Sequence, residues 1–345
     1  MTTADDLDTL DKSLLAEIQR GLPVEHRPFH AISLKLGLGE QQCLDRLLRL
    51  KQLGVFKQIT AQFDGYALGY ERAWIALHVP ADAVGPGVVA LQTYPGTAHV
   101  CERLGDFNIW ASVWIPPHET LNRLVQIFQD MTKAKEGILL PAMRVYKCAA
   151  PMAGQELHPS FEESYESESH RGQSGRLGLA DDDRRRICLL QEDLPLLEMP
   201  YAVWAEHLDC PEDDLFDWMG RMQRAGYLRR FHALGETYPA LVKTALVAWE
   251  VPEGVVDDAG THCARLREIL HAARRPVYRN WPYSLTTLLH ADSAVAAEGA
   301  RRRVETVIGR FPNASFPLER DFGIRRVVFC TEAFDAWRPI AQHHS

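Results

Sequence analysis

The sequence predicts an α+β fold in which a helix-turn-helix followed by a ferredoxin-like βαββαβ domain occurs twice in tandem. The first observation behind this is self-similarity. Leu22-Pro23 recurs as Leu194-Pro195, 172 positions on, and Pro28-Phe29 matches Pro200-Tyr201 at the same offset. Leu53-Gly54 matches Ala225-Gly226, and Ala73, Val79 and Pro80 match Ala245, Val251 and Pro252. The ends of the copies match at a slightly longer offset, Arg144-Val145-Tyr146-Lys147-Cys148 against Arg326-Val327-Val328-Phe329-Cys330. The second observation is that each copy opens with helical spacing of its apolar residues and then switches to strand-like alternation.

In copy one, Leu10, Leu14, Leu15 and Ile18 fall on one helix face, with Asp8 or Asp11 as cap, and Pro23 ends the helix. Phe29, Ile32 and Leu36 mark a short second helix closed by Gly37. Glu40 opens a third, with Leu44, Leu47, Leu48 and Leu50 as its buried stripe and Gly54 as its cap. Three short helices with a tight turn between the last two form a helix-turn-helix. The run Val55 to Phe63 reads as a small hairpin or wing. Strands are then expected at Ala73–Val79, Thr97–Arg103 and Phe107–Ile115, with a weak helix at Val84–Thr93 and a strongly amphipathic one at His118–Thr132. A last strand, Ile138–Cys148, is broken by Pro141. Copy two gives the same order: Lys243–Val251, Asp258–Ala272, Pro276–Asn280, Tyr283–Ala291, Ser293–Gly309 and Leu318–Cys330.

This divides the chain into a helix-turn-helix at 1–64, a ferredoxin-like domain at 65–148, a linker at 149–178, a second helix-turn-helix at 179–236, a second ferredoxin-like domain at 237–335 and a tail at 336–345. The linker holds Glu156, Glu162, Glu163, Glu166 and Glu168 among Ser and Gly, with no apolar period, so it is expected to be flexible. The sheets of the two copies are expected to pair, forming an internal pseudo-dimer.

Composition narrows the function. With 38 Lys and Arg against 46 Asp and Glu, the net charge of −8 argues against a general binder of nucleic-acid backbone. The recognition-helix region of copy two, Asp209-Cys210-Pro211-Glu212-Asp213-Asp214-Leu215-Phe216-Asp217, presents acids where a groove-reading helix meets phosphates. In copy one, Arg46, Arg49 and Lys51 are balanced by Glu40 and Asp45. No apolar run is long enough for a membrane span, and the acidic start lacks the pattern of a signal peptide. Seven cysteines, an odd number with no C-x-x-C pair, suit a reduced, cytoplasmic protein. His262-Cys263 lacks zinc-ligand spacing, so no metal site is expected, and Gly85-Pro86-Gly87 lacks a phosphate-loop context.

A helix-turn-helix joined to a ferredoxin-like domain resembles the Lrp/AsnC family of amino-acid-sensing regulators. The segment Tyr278-Arg279-Asn280-Trp281-Pro282-Tyr283-Ser284-Leu285-Thr286-Thr287-Leu288-Leu289-His290-Ala291 is more closely similar to the signature of the sirohaem (siroheme) decarboxylases, an Lrp-like group that became enzymes. Their pattern runs His-Cys-Tyr-x-Arg, then Trp-Pro-Tyr-Asn-Leu, then Met-His. Leu22-Pro23 and Arg27-Pro28-Phe29 also resemble it, as do His99-Val100-Cys101-Glu102-Arg103 and Phe107-Asn108-Ile109-Trp110. Copy two reads Pro276-Val277 where the family shows His-Cys, Ser284 for Asn and Leu289 for Met. Copy one reads Cys101 for Tyr, and Trp114 where copy two has His290. The expectation is that copy two carries the chemistry and copy one is its structural partner.

The resemblance, which spans both copies, implies removal of carbon dioxide from two acetate side chains of siroheme to give didecarboxysiroheme in haem d1 biosynthesis. Siroheme is then substrate and no separate cofactor is needed, because the protonated macrocycle accepts the electrons that carbon dioxide leaves behind. Other proteins of haem d1 biosynthesis are conceivable partners. A flat disc with eight carboxylates asks for cations at its rim and rings across its face. Arg274, Arg275 and Arg279, with Trp281 and Tyr283, are the candidates in copy two, joined by His99 and Arg103 from copy one. Strand alternation lets only some of the arginines share a face. His290 is the expected proton donor to the resulting methylene, and Tyr278 the group that bonds the carboxylate or relays a proton. A ligand-sensing transcription regulator and a non-catalytic haem-binding sensor are the alternatives.

Overall fold

The computed structural model describes residues 7–148, 179–235, 244–290 and 293–339. The expected linker at 149–178 and the last residues of the expected tail lie outside the described residues. Copy one comprises α1 (Thr9–Arg20), α2 (Pro28–Leu36), α3 (Glu40–Gln52), β1 (Phe56–Phe63), β2 (Glu71–His78), α4 (Val84–Gln92), β3 (Thr97–Arg103), β4 (Ile109–Ile115), α5 (Leu121–Thr132), β5 (Glu136–Pro141) and β6 (Arg144–Cys148). Copy two comprises α6 (Asp181–Leu190), α7 (Pro200–His207), α8 (Glu212–Arg224), β7 (Leu228–Gly235), β8 (Thr244–Trp249), α9 (Val256–Cys263), β9 (Ile269–Arg274), β10 (Leu285–His290), α10 (Ala294–Ile308) and β11 (Asn313–Ile324). A short α11 (Glu332–Ala336) follows.

These elements cluster by kind rather than by copy, into two compact units. One holds the described residues within 1–68, 176–237 and 328–332; the other holds the remaining described residues.

The first unit contains both helix-turn-helix segments. Asp8 caps α1 by accepting from the Asp11 amide at 2.7 Å, Pro28 starts α2, and Gly37 ends it at a left-handed φ of 66°. Leu14, Ile18, Phe29, Ile32, Leu47 and Leu50 are buried, as their spacing predicts. Asp11 is buried beneath two cations, accepting from Arg46 at 2.8 Å and from Arg49, which ties α1 to α3. The expected wing is not a hairpin. β1 is a single strand that pairs antiparallel with β7 of the other copy, Ile59 opposite Ala233 and Ala61 opposite Phe231.

The second unit is one nine-stranded sheet in the order β5-β2-β4-β3-β11-β8-β10-β9-β6. Its continuity comes from exchange between the copies. β5 pairs with β2 of its own copy; the chain turns at residues 142–143, and β6 pairs with β9 of the other. β11 does the same in one strand: Asn313–Pro317 pairs with β8, and Leu318–Ile324 with β3. The register equates Arg144–Cys148 with Arg320–Ile324, because each runs along the β3-type strand of the other copy. The sequence match to Arg326–Cys330 is therefore out of register, and β11 ends at Ile324.

One face of the sheet carries the helices; in copy two Val247, Trp249, Leu285 and Leu289 pack there against Ala259 and Cys263 of α9 and Ala300 and Val304 of α10. On the other face Ala76, Trp110, Ile138 and Leu140 of copy one meet Ala248, Trp281 and Phe316 of copy two. The two halves thus bury their helix-free faces against each other. The expected helix Asp258–Ala272 ends at Cys263, and the strand expected at Pro276–Asn280 lies earlier, as β9. So few apolar residues as Leu266, Ile269, Leu270 and Ala272 suit helix or strand spacing alike. Trp337, in the expected tail, packs on Tyr94 at 4.9 Å between ring centres.

Candidate functional site

The inner face of the sheet carries charge as well as rings. Two of its arginines are buried, Arg103 at 4% and Arg275 at 7% exposure. Each stands at the end of the same strand of its copy, Arg103 as the last residue of β3 and Arg275 just after β9, and each reaches across to the other copy. Arg103 donates to the Phe316 carbonyl of β11 at 3.0 Å, and Arg275 to the Leu140 carbonyl of β5 at 2.8 Å. Arg275 also donates to Thr286 Oγ1 at 3.2 Å.

A second pair fixes the strand that follows. Asn108 grips Val79 at both backbone groups, accepting from its amide at 2.8 Å and donating to its carbonyl at 3.0 Å. Ser284 does the same to Val251 with one hydroxyl, at 3.2 and 2.6 Å. Serine at this position therefore preserves the clamp that asparagine makes. Ser284 lies 13 residues after His271, whereas Asn108 lies 9 after His99, so the hairpin of copy two is longer by four. The added length is a closed turn: Tyr278 and Trp281 exchange backbone hydrogen bonds at 2.8 and 3.0 Å, and Tyr278 Oη donates to the Leu139 carbonyl at 2.6 Å. The turn carries Trp281 inward, to 1% exposure, against Phe107, Trp110, Tyr283 and Phe316 at 5.0 to 6.0 Å between centres. Burial raises the Tyr278 phenol above its usual range, so it keeps its proton at neutral pH.

Farther along the same face lie the histidines. His99 Nε2 bonds Asp321 Oδ1 at 2.9 Å, and its ring meets Trp74 edge-on at 5.6 Å. His271, opposite Leu288 on β10, is pushed down to about 3 by burial, with repulsion from Arg275 and Arg72 adding to it. Arg72 donates to Ser112 Oγ at 3.2 Å and lies over the Trp114 ring at 5.5 Å. A histidine that folds neutral but unfolds to an ordinary pKa near 6.5 favours the unfolded state as pH falls. Its effect on stability is negligible above pH 6.5 and grows by about 1.4 kcal/mol per unit below it, until about pH 3. His271→Leu is expected to flatten this acid limb by about 2 kcal/mol between pH 6.5 and 5, read from urea midpoints. An unchanged pH dependence would mean that the imidazole is charged in the fold.

Family models match the chain in three stretches. A siroheme decarboxylase NirDL-like helix-turn-helix domain matches residues 11–56 and again 183–229, and an AsnC-like ligand-binding domain matches 241–322. A siroheme decarboxylase of Hydrogenobacter thermophilus is 25% identical over 329 residues, covering 94% of this chain and 96% of that protein. The alpha subunit of the siroheme decarboxylase of Desulfovibrio desulfuricans is 32% identical over 142 residues, which are 41% of this chain and 82% of the subunit. The chain belongs to the siroheme decarboxylase family. Its fold matches the crystal structure of the siroheme decarboxylase NirDL with a TM-score of 0.76 at 22% identity, covering 95% of this chain and 97% of that one. The same fold has been solved in complex with an iron-uroporphyrin III analogue. Alpha and beta subunits in this family each align with 41% of the chain, in keeping with its two copies.

Against that family membership, the expected site residues do not all come together. Arg275, Tyr278, Trp281 and Tyr283 come together with β5. Arg103 and His99 occupy the corresponding strand of the other half, and His99 is engaged by Asp321. Arg274 does not join them. It is the neighbour of Arg275 on an alternating strand, so it turns to the helix face and pairs with Glu253 and with Asp257 at 3.6 Å. Arg279 is exposed in the turn, where the strand has ended and alternation no longer applies. His290 ends β10 opposite Thr244, in the register position that Trp114 holds opposite Arg72. Its backbone is about 17 Å along the strand from Leu285, so it does not stand beside Tyr278.

His271 and Arg72 were missed by sequence reasoning. For His271 the signal was present: His271 and Arg275 repeat His99 and Arg103 at the 172 offset, whereas Arg72 maps to Thr244 and carried none. The His-Cys position of the family pattern in copy two is therefore His271-Ala272, not Pro276-Val277.

Proposed function

We propose that this chain decarboxylates siroheme, removing carbon dioxide from two acetate side chains to give didecarboxysiroheme, a step of haem d1 biosynthesis. The observation that carries this reading is the pair of buried arginines, Arg103 and Arg275, on an inner sheet face lined by Trp74, Trp110, Trp281 and Phe316. Cations buried among rings suit a disc that is apolar across its faces and anionic at its rim. Each charge-assisted bond from arginine to a carboxylate contributes about 1.5–3 kcal/mol.

In the proposed reaction the bond between the acetate methylene and its carboxylate breaks, and the electron pair passes into the protonated macrocycle. A proton then adds to the methylene, giving a methyl group. Arg275 holds the carboxylate, with Trp281 and Tyr283 along the macrocycle and Arg103 and His99 on the far half. Tyr278, which keeps its proton, is one donor; His290 is the other, near the far end of β10. His271, held neutral, orients the substrate by hydrogen bonding and is not the group that delivers the proton. Surrounding rings lower the polarity around the carboxylate and favour its departure as neutral gas.

Three acids in the first turn of α8, Glu212, Asp213 and Asp214, disfavour the regulator alternative. Among the described residues no helix is long and apolar enough to cross a membrane. We infer a cytoplasmic location from buried, protonated thiols such as Cys43 and Cys263, raised by burial to about 11 and about 12.

Anaerobic incubation with siroheme, followed by mass spectrometry of the tetrapyrrole, tests the proposal. Loss of two carbon dioxide units is expected. Bound but unchanged siroheme would make the protein a carrier, and a shifted DNA band at physiological salt with no turnover would make it a regulator.

A further inference from the structure

Trp281 has an unusual deficit. Its indole N–H is buried without a hydrogen-bond partner, the one indole among the described residues left so. Buried donors in native proteins are nearly always satisfied, and an exception asks for a reason. The other tryptophans show how easily this fold supplies an acceptor. Trp110, 5.7 Å away in the same cluster, donates to the Phe107 carbonyl at 2.8 Å. Trp249 donates to Thr287 and Trp218 to Asp183, at 2.9 and 2.8 Å.

The orphan is also held firmly in place. It closes the hairpin that is four residues longer than its copy-one counterpart, and the turn is pinned to β5 by Tyr278 Oη and by Asn280, which bonds Glu136. The corresponding hairpin of copy one has Gly105 where Trp281 would stand. A Cβ there would come within 3.0 Å of the Phe316 ring, so no side chain fits without displacing it. One half therefore presents a fixed donor and the other cannot.

We propose that the Trp281 N–H donates to a carboxylate of siroheme, and that this donor makes the longer hairpin the half that orients the substrate. This rests on the decarboxylase reading. The acceptor class follows from the chemistry: the unpartnered donor stands in the ring cluster with Tyr283, in the hairpin that follows buried Arg275, and a carboxylate of the anionic substrate supplies the acceptor it lacks. The Tyr283 ring, edge-on at 84° and 5.0 Å, offers at most a weak π acceptor.

The test is anaerobic siroheme titration and ligand-induced thermal stabilisation of the full chain, for wild type, Trp281→Phe and a chain carrying β-(3-benzothienyl)alanine at 281, which keeps the indole shape but not its N–H. Both altered chains are expected to bind siroheme about tenfold to hundredfold more weakly, and to lose most of the ligand-induced stabilisation. The benzothienyl chain is expected to unfold, without ligand, at or above the wild-type temperature, since no partner is lost. Wild-type affinity in the benzothienyl chain would overturn the inference and leave the decarboxylase reading standing. Failure of wild type itself to bind siroheme would overturn both.

Discussion

Arg275→Met is expected to lower siroheme turnover about a hundredfold, and Arg103→Met less than about tenfold. The comparison is informative because the two arginines do the same structural work. Each is buried, and each donates across the sheet to the last long strand of the other copy, Arg275 to Leu140 and Arg103 to Phe316. Methionine fills similar space but leaves that carbonyl short of a donor, at a cost of about 1–3 kcal/mol in either half. Stability should therefore fall by similar amounts in the two variants, by urea unfolding. Turnover should not, because only the Arg275 half has the longer hairpin with Tyr278, Trp281 and Tyr283 beside it. Equal losses of turnover would mean that the substrate engages both halves alike, and that the extension is not what distinguishes them.

The helices and their buried stripes were legible because spacing alone fixes a helical face, as Leu14 and Ile18 or Leu44 and Leu47 do. Strand partners were not. Alternation in Phe56–Phe63 or Arg144–Cys148 says which residues share a face, but nothing about which strand lies alongside, and both strands pair with the other copy. Alternation did separate Arg274 from Arg275, and its reach ended with β9, so Arg279 does not follow the pattern. The site was half-legible for a related reason. The Trp-Pro-Tyr run drew attention to residues 278–283, while the four-residue extension shifted the register between the motif halves and hid His271. Arg72 sits outside any motif; what recommends it is its place over Trp114 and near His271, which only the closed sheet reveals.

Divergence between the copies also sets the largest expected loss of stability. Gly96 begins the approach to β3, and its carbonyl accepts from the Trp114 amide at 2.8 Å. A Cβ at this position would lie 1.9 Å from the Trp114 carbonyl oxygen and 2.6 Å from the Tyr94 ring. The first neighbour is backbone within a paired strand, so it cannot swing aside as a flexible side chain would. At the 172 offset copy two has Glu268, whose side chain reaches Arg303. The requirement for glycine is thus peculiar to copy one, where the backbone of Trp114, near the end of β4, approaches this position closely. Gly96→Ala is expected to cost about 4 kcal/mol, at the upper end of single-substitution effects. It should also displace Trp114 from beneath Arg72, weakening siroheme binding beyond what instability alone explains. Urea unfolding followed by tryptophan fluorescence, with siroheme titration at a temperature where the variant is folded, measures both. A midpoint equal to wild type would show that the turn relaxes around the methyl group, and that the close approach of Gly96 to β4 is not needed for the sheet to form.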